Sequence, residues 1–175
     1  MTMGVERAIA TKRAIRAFAD RPIEAGDLRR ILEAGRRAGS SKNLQRWDFV
    51  VVREPARLRD LAGVGASAEH LAGAAVAVAL VTPDPRAPDQ PVSMTWDSGG
   101  AAAQMMLEAW ALGIGSCPAT VYDQPLARSI LGYPDDRHCE FILSFGYPAD
   151  PAILTAPLRA GKRRALEEIV HDERW

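Results

Sequence analysis

Residues 97–112 constrain the fold more than any other segment, because they form a predicted helix with almost no polar face. From Ala101 onward only Gln104 and Glu108 interrupt a run of alanine, methionine, leucine and tryptophan, and Gly113 ends it. A helix that is apolar nearly all round needs cover on every side. That cover comes either from one subunit around a central helix or from a second copy at a dimer core, and the sequence leaves both open.

The other elements follow from apolar periodicity and from residues that begin or end helices. Asp27 is expected to cap the first long helix and Gly39 to stop it. The mixed order of helices and strands favours an α+β fold over a regular βαβ alternation, and 175 residues suit one domain over 1–175. The predicted helices cover 27–38, 55–61 and 124–131, and the predicted strands cover 48–53, 75–82 and 140–145.

The charge balance excludes several classes of protein. Lysine plus arginine and aspartate plus glutamate number 22 each, so the chain has no net charge. A general binder of nucleic acid or of a membrane surface would carry a basic excess. Only Phe18 lies near the basic clusters, so an aromatic platform for stacking bases is also missing.

Cysteine usage and hydropathy predict a cytoplasmic protein. Cys117 and Cys139 form no CxxC pair, and two cysteines make no disulfide framework. Residues 1–13 contain no apolar core of a secretory signal. The longest apolar run, 71–81, is 11 residues, whereas a membrane-spanning helix needs about 20.

No constellation of metal ligands or of a catalytic triad stands out. The three histidines, His70, His138 and His171, have no ligand spacing. Ser98 is followed by two glycines but does not form a GxSxG elbow. The sequence Gly63-Val64-Gly65 matches a dinucleotide fingerprint only in part, and a helix terminus explains it better. We therefore expect no metal site and no catalytic side chain.

The stretch TKRAIRAF, at 11–18, concentrates Lys12, Arg13 and Arg16 within five residues. It is either a solvated surface or a cradle for a phosphate, since clustered cations bind phosphate well. A second basic cluster, Lys162-Arg163-Arg164, lies far away in the sequence and would have to converge on the same anion.

A polar loop precedes the predicted strand at 48–53. The segment GSSKNLQRW carries Ser40, Ser41, Asn43 and Gln45 in front of Trp47. This loop is either an ordinary connection from helix to strand or the lip of a site that binds a flat polar molecule. The residues alone do not separate the two.

Five segments together resemble the FMN-dependent nitroreductase family, in the order found there and over nearly the whole chain. They are TKRAIRAF, AGSSKNLQRWDFVVV, DSGGAAAQMMLEAWALGIGSCPATVYD, ILSFGYP and KRRALEEIV. The most specific is the Ser-Ser-x-Asn-x-Gln-x-Trp pattern. The resemblance implies a central, mostly antiparallel sheet flanked by helices, and a homodimer with an exchanged C-terminal tail and two FMN sites, each built from both chains.

The resemblance also assigns residues to the cofactor. It implies phosphate contacts at the N-terminal and C-terminal basic motifs, contacts from the partner subunit at the polar loop, and a backbone strip beside the reactive N5 edge of the flavin. Two further side chains, Ser67 and His70, fall at the pyrimidine edge. The implied phosphate contacts are Lys12, Arg13, Ala14 and Arg16 in the N-terminal motif and Lys162 and Arg164 in the C-terminal motif. The implied contacts from the partner subunit are Gly39, Ser40, Ser41 and Asn43, and the backbone strip is Pro118, Ala119, Thr120 and Val121.

Several positions depart from the family pattern. Lys12 stands where arginine is usual, and its ammonium group cannot make the bidentate contact of a guanidinium. Ala14 stands where serine is usual, so the hydroxyl that would bond the phosphate is missing. Arg46 and Ala165 each replace a proline. Val121 replaces a glycine, so that its side chain is expected to narrow the site or to shift the backbone.

The implied activity is that of a flavin oxidoreductase. NAD(P)H would reduce FMN, and a small acceptor such as a nitroaromatic or a quinone would then be reduced in a ping-pong cycle. Because the flavin carries the electrons, no side-chain acid or base is required. Other reactions carried out on the same fold are dehalogenation, azoline oxidation and flavin breakdown, and each is an alternative activity. A further alternative is a protein without catalysis, which either binds flavin only or is a degenerate member that has lost it.

Overall fold

The computed structural model describes residues 3–157 and 163–175, and four strands in it form one antiparallel sheet. The strand order is β1-β2-β4-β3, with all three pairs antiparallel. The strands are β1 (Asp48–Val52), β2 (Val76–Pro83), β3 (Gly115–Thr120) and β4 (Arg137–Gly146). The helices are α1 (Val5–Thr11), α2 (Ala25–Arg36), α3 (Pro55–Leu61), α4 (Ser93–Ala111) and α5 (Gln124–Leu131).

Helices cover both faces of the sheet, which gives two cores. Leu58 and Leu61 of α3 and Ala127 of α5 pack on one face. The other face is covered by α2 and α4, through residues such as Ile31 and Met105. Helix α2 approaches α4 closely because Gly35 has no side chain: a Cβ there would lie 2.8 Å from Cγ of Met105.

The segment after α1 continues the sheet past β3. Ala14 forms a parallel bridge with Ser116, and the N–H of Ile15 donates to the Ser116 carbonyl at 3.0 Å. Gly115 makes this approach possible, since a Cβ at that position would lie 2.6 Å from Cβ of Ile15. The basic stretch 11–18 is therefore held against the sheet edge, although Lys12 and Arg16 are not themselves buried.

The α+β prediction is confirmed, and so are the helices over 55–61 and 124–131. The expected cap is wrong: α2 begins at Ala25 behind Glu24, with Asp27 in its first turn, and it ends at Arg36 before Gly39 is reached. The predicted strands are displaced by one to three residues at their ends. Periodicity missed α1 and β3, because α1 is mostly exposed and β3 consists of small residues around Pro118.

Helix α4 is longer than predicted, and one side of it is left exposed by the residues that the structure describes. Met94, Ala101 and Met105 are buried, whereas Trp96 and Ala103 are exposed. The expectation of cover all round is therefore not met by a single chain. No helix in the described ranges combines the length and apolarity needed to cross a bilayer.

Candidate functional site

The side chains of the basic N-terminal segment lie in two different environments. Ile15 is buried, and Arg13 is used structurally: its Nη2 donates to the Ala156 carbonyl at 2.6 Å, and its guanidinium lies 5.8 Å from the ring centroid of Trp110. Arg16 belongs to a different environment, close to His70 and Cys117. The structure thus separates Arg13 from the other predicted phosphate ligands.

Lys12 lies within electrostatic range of Cys117 and of Arg163, and the buried thiol of Cys117 lies within range of both Lys12 and Arg16. Burial lowers the pKa of Lys12, and the positive charge of Arg163 lowers it further, while Cys117 acts in the opposite direction. Burial raises the pKa of Cys117 against the effect of Arg16 and Lys12. Within residues 3–157 and 163–175, none of the three cations forms a salt bridge. Like charges held together without a carboxylate favour an anionic ligand.

A cavity of about 400 Å³ lies beside Arg16. It is lined by Arg16, Ala66, Ser67, Glu69 and His70. The structure therefore brings the two side chains expected at the pyrimidine edge, Ser67 and His70, next to a cation of the N-terminal segment.

Ser144 holds one side of the His70 ring. His70 Nδ1 lies 2.8 Å from the Ser144 hydroxyl oxygen, which also lies 3.2 Å from the Cys117 carbonyl oxygen. Nε2 of His70 is buried and has no hydrogen-bond partner among the described residues. One ring nitrogen is therefore left for a ligand.

The surroundings of His70 favour the neutral ring. Burial lowers its pKa, the Arg16 guanidinium lowers it further, and the Pro118 carbonyl acts in the opposite direction. A buried ring nitrogen without a hydrogen-bond partner costs free energy in the empty protein. A hydrogen-bonding group of a ligand that fills the cavity would satisfy Nε2.

The strip 118–120 lies at the edge of the sheet, in β3. The N–H of Val121 donates to the Glu140 carbonyl of β4 at 3.0 Å. N–H groups alternate in direction along a strand, so the Thr120 N–H points away from β4, and Pro118 has no N–H to offer. Ala119 is buried on the α3 face of the sheet. The strip therefore presents one backbone donor, at Thr120, toward the ligand side.

Val121 does not narrow the site, so that part of the expectation is wrong: its side chain is 5% exposed and packs in the core formed with α3 and α5. The alternative, a shift of the backbone beside the flavin edge, stays a prediction. A close contact with Gly65 supports the strip instead. A Cβ at Gly65 would lie 2.3 Å from the Thr120 carbonyl oxygen, so only glycine allows this approach.

The backbone of the polar loop is strained, and many of the loop's hydrogen bonds join residues within the loop. Lys42, Asn43 and Gln45 have φ values of 52°, 55° and 45°, which residues other than glycine rarely adopt. The N–H of Ser41 donates to the Asp97 carboxylate of α4 at 2.9 Å. Strain of this kind is concentrated at functional sites.

The loop stays apart from the rest of the candidate site in the same chain. None of the described hydrogen bonds joins Gly39, Ser40, Ser41 or Asn43 to the segment 12–16 or to the strip 118–120. The loop lies instead at the N-terminal half of α4, the helix whose outer side is exposed.

The C-terminal basic motif is described only in part. Lys162 lies outside the described residues, and Arg164 pairs with Glu168 four residues later. The charge that lies close enough to Lys12 to lower its pKa belongs to Arg163. A phosphate contact from Lys162 or Arg164 stays a prediction.

Sequence reasoning missed residues that support the site. Arg163 lies in the basic cluster that was recognised, but the family motif selected its neighbours. Gly65 was visible as part of a glycine pair, whereas nothing local in the sequence marks Asp97 or Ser144. The described residues contain no group of three or more side chains suited to a metal ion.

Comparison with known proteins identifies the family of the chain. The model of the nitroreductase family matches residues 9–67 and 59–147. A protein of Archaeoglobus fulgidus, described as a candidate NADH dehydrogenase/NAD(P)H nitroreductase, is 32% identical over 173 residues, which cover 95% of this chain and 96% of the relative.

Solved structures share the fold. An FMN-dependent nitroreductase from Clostridium difficile superposes with a TM-score of 0.83 at 24% identity, covering 96% of this chain and 98% of its own. The NADPH:FMN oxidoreductase of Vibrio harveyi, solved with NAD⁺, superposes with a TM-score of 0.83 at 22% identity, covering 98% of this chain and 77% of its own. The chain belongs to the nitroreductase family.

Proposed function

We propose that this protein is an FMN-dependent oxidoreductase that takes a hydride from NAD(P)H and passes two electrons to a small acceptor such as a nitroaromatic or a quinone. The observation that carries the proposal is the set of cations Lys12, Arg16 and Arg163, which lack a carboxylate partner among the described residues, two of them in the segment that runs alongside β3. Family membership supports it, as do the names of the relatives.

The residues present fit FMN. Its phosphate suits the three cations, and the hydrogen-bonding edge of its pyrimidine ring suits Nε2 of His70, which has no partner among the described residues. When bound, FMN would supply the redox chemistry, accepting the hydride and returning two electrons. The Thr120 N–H would be available to donate to the flavin edge, and Ser67 would offer a hydroxyl to the pyrimidine ring.

We further propose a homodimer of single-domain subunits, each spanning 1–175. The loop at 39–43 would then cover the FMN of the partner subunit and exclude water from it, which explains why it makes no hydrogen bond to the segment 12–16 of its own chain. Contacts from Lys162 and Arg164, and exchange of the tail, belong to the same proposal. Both cysteines are buried and unpaired, which suits a reducing cytoplasm.

The test is the visible spectrum of the purified protein, recorded without oxygen as NADH and then NADPH are added. We expect a yellow protein that either nucleotide bleaches and that an added quinone restores. A yellow protein that neither nucleotide bleaches would point to another flavin reaction. A colourless protein that takes up no added FMN would contradict the cofactor assignment.

The phosphate assignment has its own prediction. Replacing Arg16 and Arg163 together by alanine is expected to weaken FMN binding by a factor of ten or more, because two charge-assisted contacts of about 1.5–3 kcal/mol each are lost. Equilibrium titration of apoprotein with FMN measures this. Arg57→Ala, which removes an exposed arginine on α3, is the matched control. Full FMN affinity in the double variant would show that the assignment is wrong.

A further inference from the structure

A cavity of about 580 Å³ adjoins the one beside Arg16, and the two share Ala66 and Glu69 as lining residues. It is formed by the loop 62–66 and by residues from 122–125, which directly follow the strip assigned to the flavin edge. Its volume falls within the roughly 300–1,000 Å³ of small-molecule sites. A ligand in this adjoining cavity would therefore lie next to the candidate flavin site.

Main-chain contacts fix the adjoining cavity to the strip. The N–H groups of Tyr122 and Asp123 both donate to the Val64 carbonyl, at 2.8 Å and 3.0 Å. The backbone of Gly65 approaches the Thr120 carbonyl so closely that a Cβ would lie 2.3 Å from its oxygen. The two walls of the cavity are thus joined to each other and to the flavin edge.

The ring of Tyr122 offers a flat apolar surface in this cavity. It is 74% exposed, and its Cδ2 would lie 3.2 Å from a Cβ at Gly65, so one edge of the ring rests on the loop backbone. The rest of the ring is open to a ligand. An exposed aromatic ring of this kind can stack on a nucleotide base.

The charged residues that line the cavity are both acidic. They are Glu69 and Asp123, and the lining contains no lysine or arginine from the described part of the chain. Oδ1 of Asp123 accepts from the N–H of Leu126, which caps α5, and this leaves Oδ2 for another donor. Neither carboxylate forms a salt bridge within residues 3–157 and 163–175.

Unpaired carboxylates distinguish between the two nicotinamide nucleotides. A carboxylate accepts hydrogen bonds from the ribose hydroxyls of NAD(H), whereas the 2′-phosphate of NADP(H) requires a cation such as arginine. Arg16, which lines the neighbouring cavity, is assigned to the phosphate of FMN. A 2′-phosphate beside Glu69 or Asp123 would meet only charge of its own sign, which repels it even in water.

We propose that the adjoining cavity binds the adenosine half of the reductant, and that it selects NADH over NADPH. The adenine stacks on Tyr122, and Glu69 and Asp123 accept hydrogen bonds from the ribose. The inference rests on the proposed function, since it names which nucleotide that enzyme uses. Both nucleotides reduce the flavin at high concentration, and the selection lies in the concentration that each requires.

The experiment measures binding without turnover. NAD⁺ and NADP⁺ are titrated separately into the oxidised, FMN-loaded protein, and the two dissociation constants are compared by calorimetry. We expect NAD⁺ to bind about tenfold more tightly, since like charges oppose the extra phosphate. The ratio should shrink when the salt concentration rises from about 0.05 M to about 0.5 M, because salt screens that repulsion. Equal affinities at low salt, or a preference for NADP⁺, would overturn the proposal.

Variants locate the selection. Glu69→Gln combined with Asp123→Asn keeps both shapes and the cap of α5, because asparagine caps helices as well as aspartate does. The ratio of the two affinities should fall from about ten to near one, as expected once the repulsion is removed. Tyr122→Ala should weaken both nucleotides alike. Glu6→Gln, at an exposed position of α1, is the matched control and should keep the ratio of the wild-type protein.

The double variant decides the assignment. A wild-type ratio in Glu69→Gln with Asp123→Asn, together with an unchanged melting temperature, would show that these carboxylates do not select the nucleotide.

The two proposals fail separately. If neither NADH nor NADPH bleaches the protein but NAD⁺ is preferred through these carboxylates, the proposed function is wrong and the cavity is still a nucleotide site. If both nucleotides bleach the flavin at the same concentration and the double variant changes nothing, only the selection of NADH is wrong.

Discussion

At the residue scale, His70 illustrates how a site can be prepared for its ligand by leaving one atom unsatisfied. Ser144 holds Nδ1 of the ring, and Nε2 is left buried without a hydrogen-bond partner in the described part of the chain. Burial and then the neighbouring Arg16 lower the pKa of His70. The free protein thus bears a cost that a hydrogen-bonding group of a ligand would remove.

The protonation of His70 predicts how stability depends on pH. Its pKa is lowered from 6.5 in the native protein, so as the pH falls below 6.5 the unfolded chain takes up a proton before the native protein does. The free energy of unfolding should therefore decrease between pH 7.5 and pH 5.5. His70→Asn retains an N–H for Ser144 but cannot titrate, and it should reduce that decrease, as measured by urea unfolding at both pH values.

The control is His171→Asn, which changes an exposed histidine of the tail. It should leave the pH dependence of the wild-type protein intact. An equally steep decrease in His70→Asn would mean that other groups cause it.

At the element scale, the placement of the segment 12–16 depends on one glycine. Gly115 begins β3, and Ile15 packs directly on it, which brings the segment alongside the strand. Ile15 is β-branched and has little freedom to turn away. The cations at positions 12 and 16 therefore owe their position to a residue with no side chain.

Replacing Gly115 by alanine should move this segment. The new Cβ would lie 2.6–2.8 Å from three carbons of Ile15, and overpacking of this kind costs about 1–3 kcal/mol. We expect a lower free energy of unfolding and weaker FMN binding, measured by urea unfolding and by titration. Gly26→Ala, in α2, meets nothing within 4 Å and should leave stability unchanged or raise it by up to about 1 kcal/mol. Normal stability and FMN binding in Gly115→Ala would refute this explanation.

At the scale of the whole molecule, the exposed side of α4 is the feature that a single chain leaves incomplete. Val92 and Trp96, at the start of the helix, are 90% and 82% exposed, and Ala103 lies further along on the exposed side. If the predicted cover on all sides exists, it has to come from outside the described part of this subunit. A second copy is the occupant that fits the homodimer proposed above, and it would bring the loop anchored on Asp97 into that interface.

Ala103→Glu tests this arrangement. The position is exposed, so the subunit should fold as before, while a carboxylate buried between two copies without a partner is strongly unfavourable. Light scattering coupled to size-exclusion chromatography is expected to report a dimer for the wild-type protein and a monomer for the variant. Ala56→Glu, at an exposed alanine of α3, should remain a dimer. A dimeric Ala103→Glu would rule out α4 as the interface.

Much of the fold and of the family assignment was already determined by the sequence. The helices over 55–61 and 124–131 and the mixed α+β order follow from local periodicity and capping, and both depend on neighbouring residues in the chain. The resemblance selected Lys12, Arg16 and Thr120 because motifs are contiguous in sequence.

Only the tertiary structure determined which of these residues meet. It directs Arg13 to the Ala156 carbonyl, turns Val121 into the core and brings Arg163 rather than Arg164 close to Lys12. It also joins Ser144 to His70, and Arg86 to His138, across more than 50 positions of the chain. Such contacts depend on strand register and on the direction of each side chain, which distant segments set together when they pack.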